Sequence, residues 1–220
     1  MPFFLKREII ARMQEKRAEM GDDARADFNL ALLILGSALF ENRLKSGKDY
    51  GTHPVHVAMA NTRSDAKQII GILHDVVEDS DWVLDDLRAV GFSERIVAGV
   101  DGMTHRPGEL YFDSIQRCGR NPDSLDKKIE DLSHNMDMSR TPALPKDKDM
   151  ERLKKYIIAH TYLVAIKKGD IPAGTPVFAF VIVSPEFAAQ RDEAVKIAEK
   201  YTTKNTPPKN IAAKIKTGGP

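Results

Sequence analysis

The chain is predicted to fold as an all-α protein with one short β element near residues 177–183. Apolar residues recur at helical spacing almost throughout its 220 residues, whereas the strict alternation of a half-buried strand is scarce. Turn-forming clusters punctuate the pattern at Gly21-Asp22-Asp23, Ser46-Gly47-Lys48-Asp49, Gly91, Arg106-Pro107-Gly108, Asn121-Pro122 and Thr141-Pro142. The most apolar stretch, Leu30 to Phe40, falls far short of the roughly 18 residues needed to span a bilayer and reads as a buried core helix.

Helices are expected over about 5–20, 23–45, 54–61, 65–79, 83–90, 93–103, 109–119, 122–139, 147–168 and 185–202. The first follows Phe3-Phe4-Leu5, and Lys6, Arg7 and Glu8 come too soon after that triplet to leave the apolar run of a secretory signal. The second contains the Leu30–Phe40 core segment. The third opens at Pro54, whose missing N–H costs nothing in the first turn, and this sets His53 at the helix edge with its ring free to point off the end. The fourth carries the run Leu73-His74-Asp75-Val76-Val77-Glu78-Asp79. Further on, Val177-Phe178-Ala179-Phe180-Val181-Ile182-Val183 is a β-branched and aromatic run between Pro176 and Pro185, which makes it the strand candidate. Beyond about Thr203 the composition turns to Lys, Pro, Asn and Gly, so 204–220 is expected to be a flexible tail. One domain over 1–203 is expected, with an elaboration from about 170.

Composition narrows the class of partner. A hydrophobic fraction of 42% and a charged fraction of 30% are ordinary for a globular protein. A net charge of +1 supplies no field to attract nucleic acid or an anionic membrane, so the expected partner is a small molecule. The single cysteine, Cys118, excludes an internal disulfide and fits a reducing, cytoplasmic compartment.

Residues 74–79 concentrate the chemistry. A helix advances about 100° per residue, so Asp75 with Glu78, His74 with Glu78, and Asp75 with Asp79 would share one face. Three acids on one face repel one another and call for a cation. Adjacent His and Asp offer a nitrogen and an oxygen donor to a divalent ion, and the next turn brings carboxylates that could act on a water near it. Upstream, His53 precedes Pro54; downstream, Asp131 and Asn135 share a helical face.

Taken in order, Lys45-Ser46-Gly47, Tyr50-x-x-His53-Pro54-x-x-Val57-Ala58, Leu73-His74-Asp75-Val76-Val77-Glu78-Asp79-Ser80, Val100-Asp101-Gly102-Met103-Thr104 and Asp131-x-x-x-Asn135-Met136 resemble the HD-domain metal-dependent phosphohydrolases. Within them the chain is most similar to the hydrolase domain of bifunctional guanosine tetraphosphate synthetase/hydrolases and to the small alarmone hydrolases. The resemblance runs from about Ala31 to about Ile166. It implies the mainly helical HD-domain fold and one divalent ion, manganese, held by His53, His74, Asp75 and Asp131. It further implies Glu78 and Asp79 as the catalytic pair, Asn135 in the nucleotide pocket, and removal of pyrophosphate from a nucleotide's 3′ position. Two imidazoles and two carboxylates with open positions suit octahedral manganese or iron(II) better than a closed tetrahedral zinc site, and the resemblance favours manganese.

Phosphate groups call for basic neighbours. Arg43, Lys45, Lys48 and Arg106 are the nearest candidates by pattern, with His105 beside them and Lys127, Lys128 and Lys154 behind. The sequence departs from the family in two places. Leu44, next to Arg43, stands where an arginine often contacts the base, and Leu132 replaces an arginine after the metal-binding aspartate. Both departures touch substrate recognition, so two alternatives stay open: a related phosphohydrolase on another nucleotide, such as an NADPH 2′-phosphatase, or a non-catalytic nucleotide-binding helical domain.

Overall fold

A computed structural model of the protein describes residues 3–20, 24–39, 51–140 and 144–202. Among these the regular structure is helical: α1 (Phe3–Met20), α2 (Ala24–Ala38), α3 (Thr52–Met59), α4 (Asp65–Leu73), α5 (Val76–Asp79), α6 (Leu84–Val90), α7 (Glu94–Met103), α8 (Tyr111–Cys118), α9 (Pro122–Met136), α10 (Asp147–Lys168), α11 (Val177–Val183) and α12 (Arg191–Lys200). Short 3-10 helices cover Met138–Arg140 and Pro185–Gln190. The expected all-α class is what is observed. No helix among the described residues is long and apolar enough to cross a membrane. The tail expected over 204–220 and the candidates Arg43, Lys45 and Lys48 lie outside the described residues.

Contacts group the chain into two compact units, Met1–Thr104 and His105–Pro220. In the first, α4 is the hub and packs against α2, α3 and α7. Ile69, Ile70, Ile72 and Leu73 are fully buried along it, together with Leu30 and Ile34 of α2, Val57 of α3 and Val97 and Val100 of α7. Two glycines let these helices close up. A Cβ on Gly71 would lie 2.6 Å from the Cα and 2.8 Å from the backbone nitrogen of Ala58, and one on Gly99 would lie 2.2 Å from Cδ1 of Ile70. Near α1, the buried Lys6 ammonium is paired with Asp86 at 2.5 Å and hydrogen-bonded to the Asp81 carbonyl, which fastens α1 to the segment that leads into α6.

In the second unit, α9 and α11 pack on α10 around Phe112, Ile158, Tyr162, Leu163, Phe180 and Val181. Here the strand expected at 177–183 is corrected, because these residues form helix α11. Phe180 N–H bonds the Pro176 carbonyl at 3.0 Å and Ser184 N–H bonds the Phe180 carbonyl at 2.9 Å, the i to i−4 pattern of a helix. Val177, Phe180 and Val181 are buried while Ile182 is exposed, which is a helical stripe and not an alternation. A lone strand would leave its backbone groups without a ladder, and no other strand exists among the described residues to supply one. Pro185 ends the helix by forcing Ser184 into an extended conformation, with ψ 128.

Candidate metal centre

His53, His74 and Asp75 form a group in which one ligand atom from each residue lies within 4.8 Å of the others, a set that could hold a metal ion. The helices explain why. A short connection folds α4 back on α3, and Asn61 takes a left-handed conformation, φ 47, which Asn tolerates better than most residues. The start of α3 and the end of α4 thereby come to the same place. Pro54 falls in the first turn of α3, where its missing N–H is harmless. That helix begins two residues earlier than expected, so His53 is drawn inside it, 4% exposed, with its ring turned toward His74 at a centroid separation of 5.2 Å.

The expected continuous helix over 65–79 is broken at His74 and Asp75. Asp75 has φ −95 and ψ −9, the sparsely occupied bridge region where active-site residues are often found. The backbone stays right-handed through the interruption, and Asp79 N–H bonds the Asp75 carbonyl at 2.8 Å. Asp75 Oδ2 is 3.1 Å from His74 Nε2 and 3.7 Å from His53 Nε2. Two donors each about 2.1 Å from one ion, at right angles, would lie about 3 Å apart, so the His74–Asp75 spacing suits adjacent ligands.

A hydrogen bond sets the tautomer. His74 Nδ1 is 2.8 Å from the Gly71 carbonyl, which can only accept, so Nδ1 carries the proton and donates. In a neutral ring Nε2 then presents a lone pair toward a carboxylate oxygen 3.1 Å away. Two acceptors at that distance repel unless a proton or a cation lies between them, and a backbone carbonyl on the far nitrogen is the arrangement that orients metal-binding histidines. The donor set therefore fits a divalent ion. Gly71 was not singled out in the sequence, although its i, i+3 spacing to His74 in a helix was visible there. Because a side chain at 71 would meet Ala58 backbone, Gly71→Ala is expected to push α3 from α4, cost about 1–3 kcal/mol and weaken metal binding at least tenfold. Parallel thermal melts and manganese titrations check both effects.

Glu78 and Asp79 lie on α5, one turn beyond Asp75, and both are exposed. Asp131 and Asn135 belong to α9 in the second unit. Asp131 is 3% exposed; Asn135 Nδ2 donates to its Oδ1 at 2.6 Å and the Lys128 ammonium donates to its Oδ2 at 2.8 Å. Burial disfavours the Lys128 charge, but the Asp131 carboxylate outweighs it and holds the ammonium above the ordinary lysine range. His105 and Arg106 open the second unit in the turn before α8, where Arg106 is exposed and its N–H bonds Glu109 at 3.2 Å. Lys127 is fully buried on α9.

Ser133 is not arranged as a nucleophile. Ser133 Oγ lies 3.2 Å from His160 Nε2, but its hydroxyl donates to the Ile129 carbonyl at 2.8 Å and so can only accept from the imidazole. Burial pushes the Cys118 thiol up to about 12, which keeps it protonated and inert.

No protein-family model matches the chain. Among curated proteins it is similar to a GTP pyrophosphokinase from Streptomyces coelicolor, with 30% identity over 175 residues, covering 73% of this chain and 20% of that protein. The chain thus spans about a fifth of the length of the curated relative it matches.

Proposed function

We propose that the protein is a metal-dependent phosphohydrolase of the HD type that removes the 3′-pyrophosphate of guanosine tetra- or pentaphosphate. The observation that carries this reading is the paired geometry at His74, with Nδ1 tied to the Gly71 carbonyl and Nε2 facing Asp75 and His53. The similarity to a protein named for GTP and pyrophosphate transfer supports a guanine nucleotide as substrate. Asp131 as fourth ligand and Asn135 as nucleotide contact enter on their sequence motif, as do Arg43, Lys45, His105 and Arg106 as substrate contacts.

A divalent ion, manganese by preference, would supply Lewis acidity that lowers the pKa of water from about 15.7 toward about 7 and offsets charge on the phosphoryl oxygens. His53, His74 and Asp75 would hold it. Water attacks phosphorus, the bond to the 3′ oxygen breaks, and pyrophosphate leaves; Glu78 or Asp79 accepts the proton of the water, and one is returned to the sugar oxygen. The exposure of both acids suits groups that meet solvent and substrate. The test is a panel of nucleotides incubated with manganese-loaded protein, with pyrophosphate and orthophosphate release measured separately. Pyrophosphate from 3′-diphosphorylated guanosine is expected, and Glu78→Gln should slow it by about 10²-fold or more while retaining metal. Orthophosphate from NADPH with no activity on any 3′-diphosphate would replace this reading with the 2′-phosphatase.

A further inference from the structure

We propose that Lys155, enclosed by Tyr111, Tyr156 and Tyr201, is the binding residue of an anion site in the second unit that takes a diphosphate group. Its ammonium lies 4.0 Å from the ring centroid of Tyr111, 5.0 Å from that of Tyr201 and 5.7 Å from that of Tyr156. The cage is held from outside: Phe112 N–H bonds the Tyr201 carbonyl at 2.9 Å, and the Tyr201 hydroxyl donates to Glu151 at 2.9 Å. Ring faces attract a cation but are weak acceptors that do not replace an anion's oxygens. Among the described residues no carboxylate or carbonyl takes a hydrogen bond from Lys155.

The groups around it explain why a polyvalent anion fits. Arg152, Lys128 and Lys200 lie near enough to act on the Lys155 charge, with Glu151 as the opposing acid. Each of those cations already has its own carboxylate: Arg152 with Asp149 at 2.8 Å, Lys128 with Asp131 at 2.8 Å and Lys200 with Glu151 at 2.5 Å. Lys155 is the charge left over. A monovalent carboxylate would bring no more than those acids already supply, whereas a diphosphate can meet Lys155 and still reach a neighbouring cation through its remaining oxygens. Lys155 is half-buried.

The site can be tested without turnover and without metal, so failure of the hydrolytic reading would leave it standing and the converse also holds. Full-length, metal-free protein is labelled with acetic anhydride in the presence or absence of inorganic pyrophosphate, and labelling at each lysine is read by peptide mass spectrometry. Pyrophosphate is expected to slow labelling of Lys155 at least tenfold while leaving exposed Lys154 unchanged. A guanosine 5′-diphosphate arm separates sources: protection by both marks a site for the diphosphate group wherever it is attached, and protection by pyrophosphate alone marks a site for the free ion. Protection by neither overturns the inference. In calorimetric titrations Lys155→Met should bind pyrophosphate at least tenfold more weakly and Lys155→Arg should recover most of the loss, a rescue that a purely packing role would not produce. Wild-type affinity in Lys155→Met would also overturn it.

Discussion

Replacing His74 by alanine is expected to leave a protein that folds but no longer takes up a divalent ion. The side chain serves twice, since Nδ1 anchors the ring to the Gly71 carbonyl and Nε2 faces Asp75 Oδ2 at 3.1 Å. Alanine removes both functions at once. Losing only the orienting partner of a metal-binding histidine costs on the order of 10–100-fold in affinity, so losing the ring should cost at least the upper end of that range and abolish any activity that depends on the ion. Stability should fall less than metal binding does, because the hub of α4 is built from Ile69, Ile70, Ile72 and Leu73, which the substitution leaves in place. Manganese content by mass spectrometry beside a circular dichroism melt checks the two quantities together. The exposed His56 on α3 is the control, and His56→Ala should keep its metal. Stoichiometric manganese in His74→Ala would remove the basis for the assignment.

The second large effect is on folding. Phe180→Ala should destabilise the second unit by about 3–5 kcal/mol, the usual cost of emptying a buried aromatic site. Phe180 is buried against Tyr162, ring centroids 5.6 Å apart, and against Phe187 at 6.1 Å. The cavity would open where α11 meets α10, and the Tyr162 hydroxyl, bonded to the Thr175 carbonyl at 2.6 Å, limits how far that ring can move in to fill it. Such a loss is a large part of the stability of an ordinary domain. Urea denaturation followed by circular dichroism measures it. A shift below about 1 kcal/mol would mean that α11 is not part of the core, and the strand assignment of 177–183 would have to be reopened.

That segment also shows where sequence reading stops. A run of seven apolar residues has no polar positions to reveal its period, so β-branched and aromatic content tips the choice toward strand. Whether the run becomes helix or strand depends on what lies beside it. Here the neighbours are helices that offer side chains and no backbone ladder, and the run satisfies its own hydrogen bonds by coiling.

The candidate centre divides the same way. His74 and Asp75 stand out because adjacency in the chain guarantees adjacency in space, and His53 stands out because Pro54 marks the helix start beside it. The interruption of the helix at His74 and Asp75 was not visible, since the apolar pattern through 65–79 is continuous. Gly71 escaped notice for a related reason. Its need to be glycine comes from Ala58, thirteen positions away, and only the packed pair of helices shows that a Cβ has nowhere to go.

The sequence by itself determined the helical class, from the spacing of its apolar residues, and pointed to His53, His74 and Asp75, which the fold brings together, from short motifs whose members are neighbours in the chain. Only the tertiary structure decided the fate of 177–183, the tautomer of His74 and the cage around Lys155. Tyr111, Tyr156 and Tyr201 each stand 45 residues from the next, and no local pattern links them. What joins them is the packing of α8, α10 and α12, and a long-range contact of that kind has its free energy in the assembled core, not in any stretch of sequence that could be read alone.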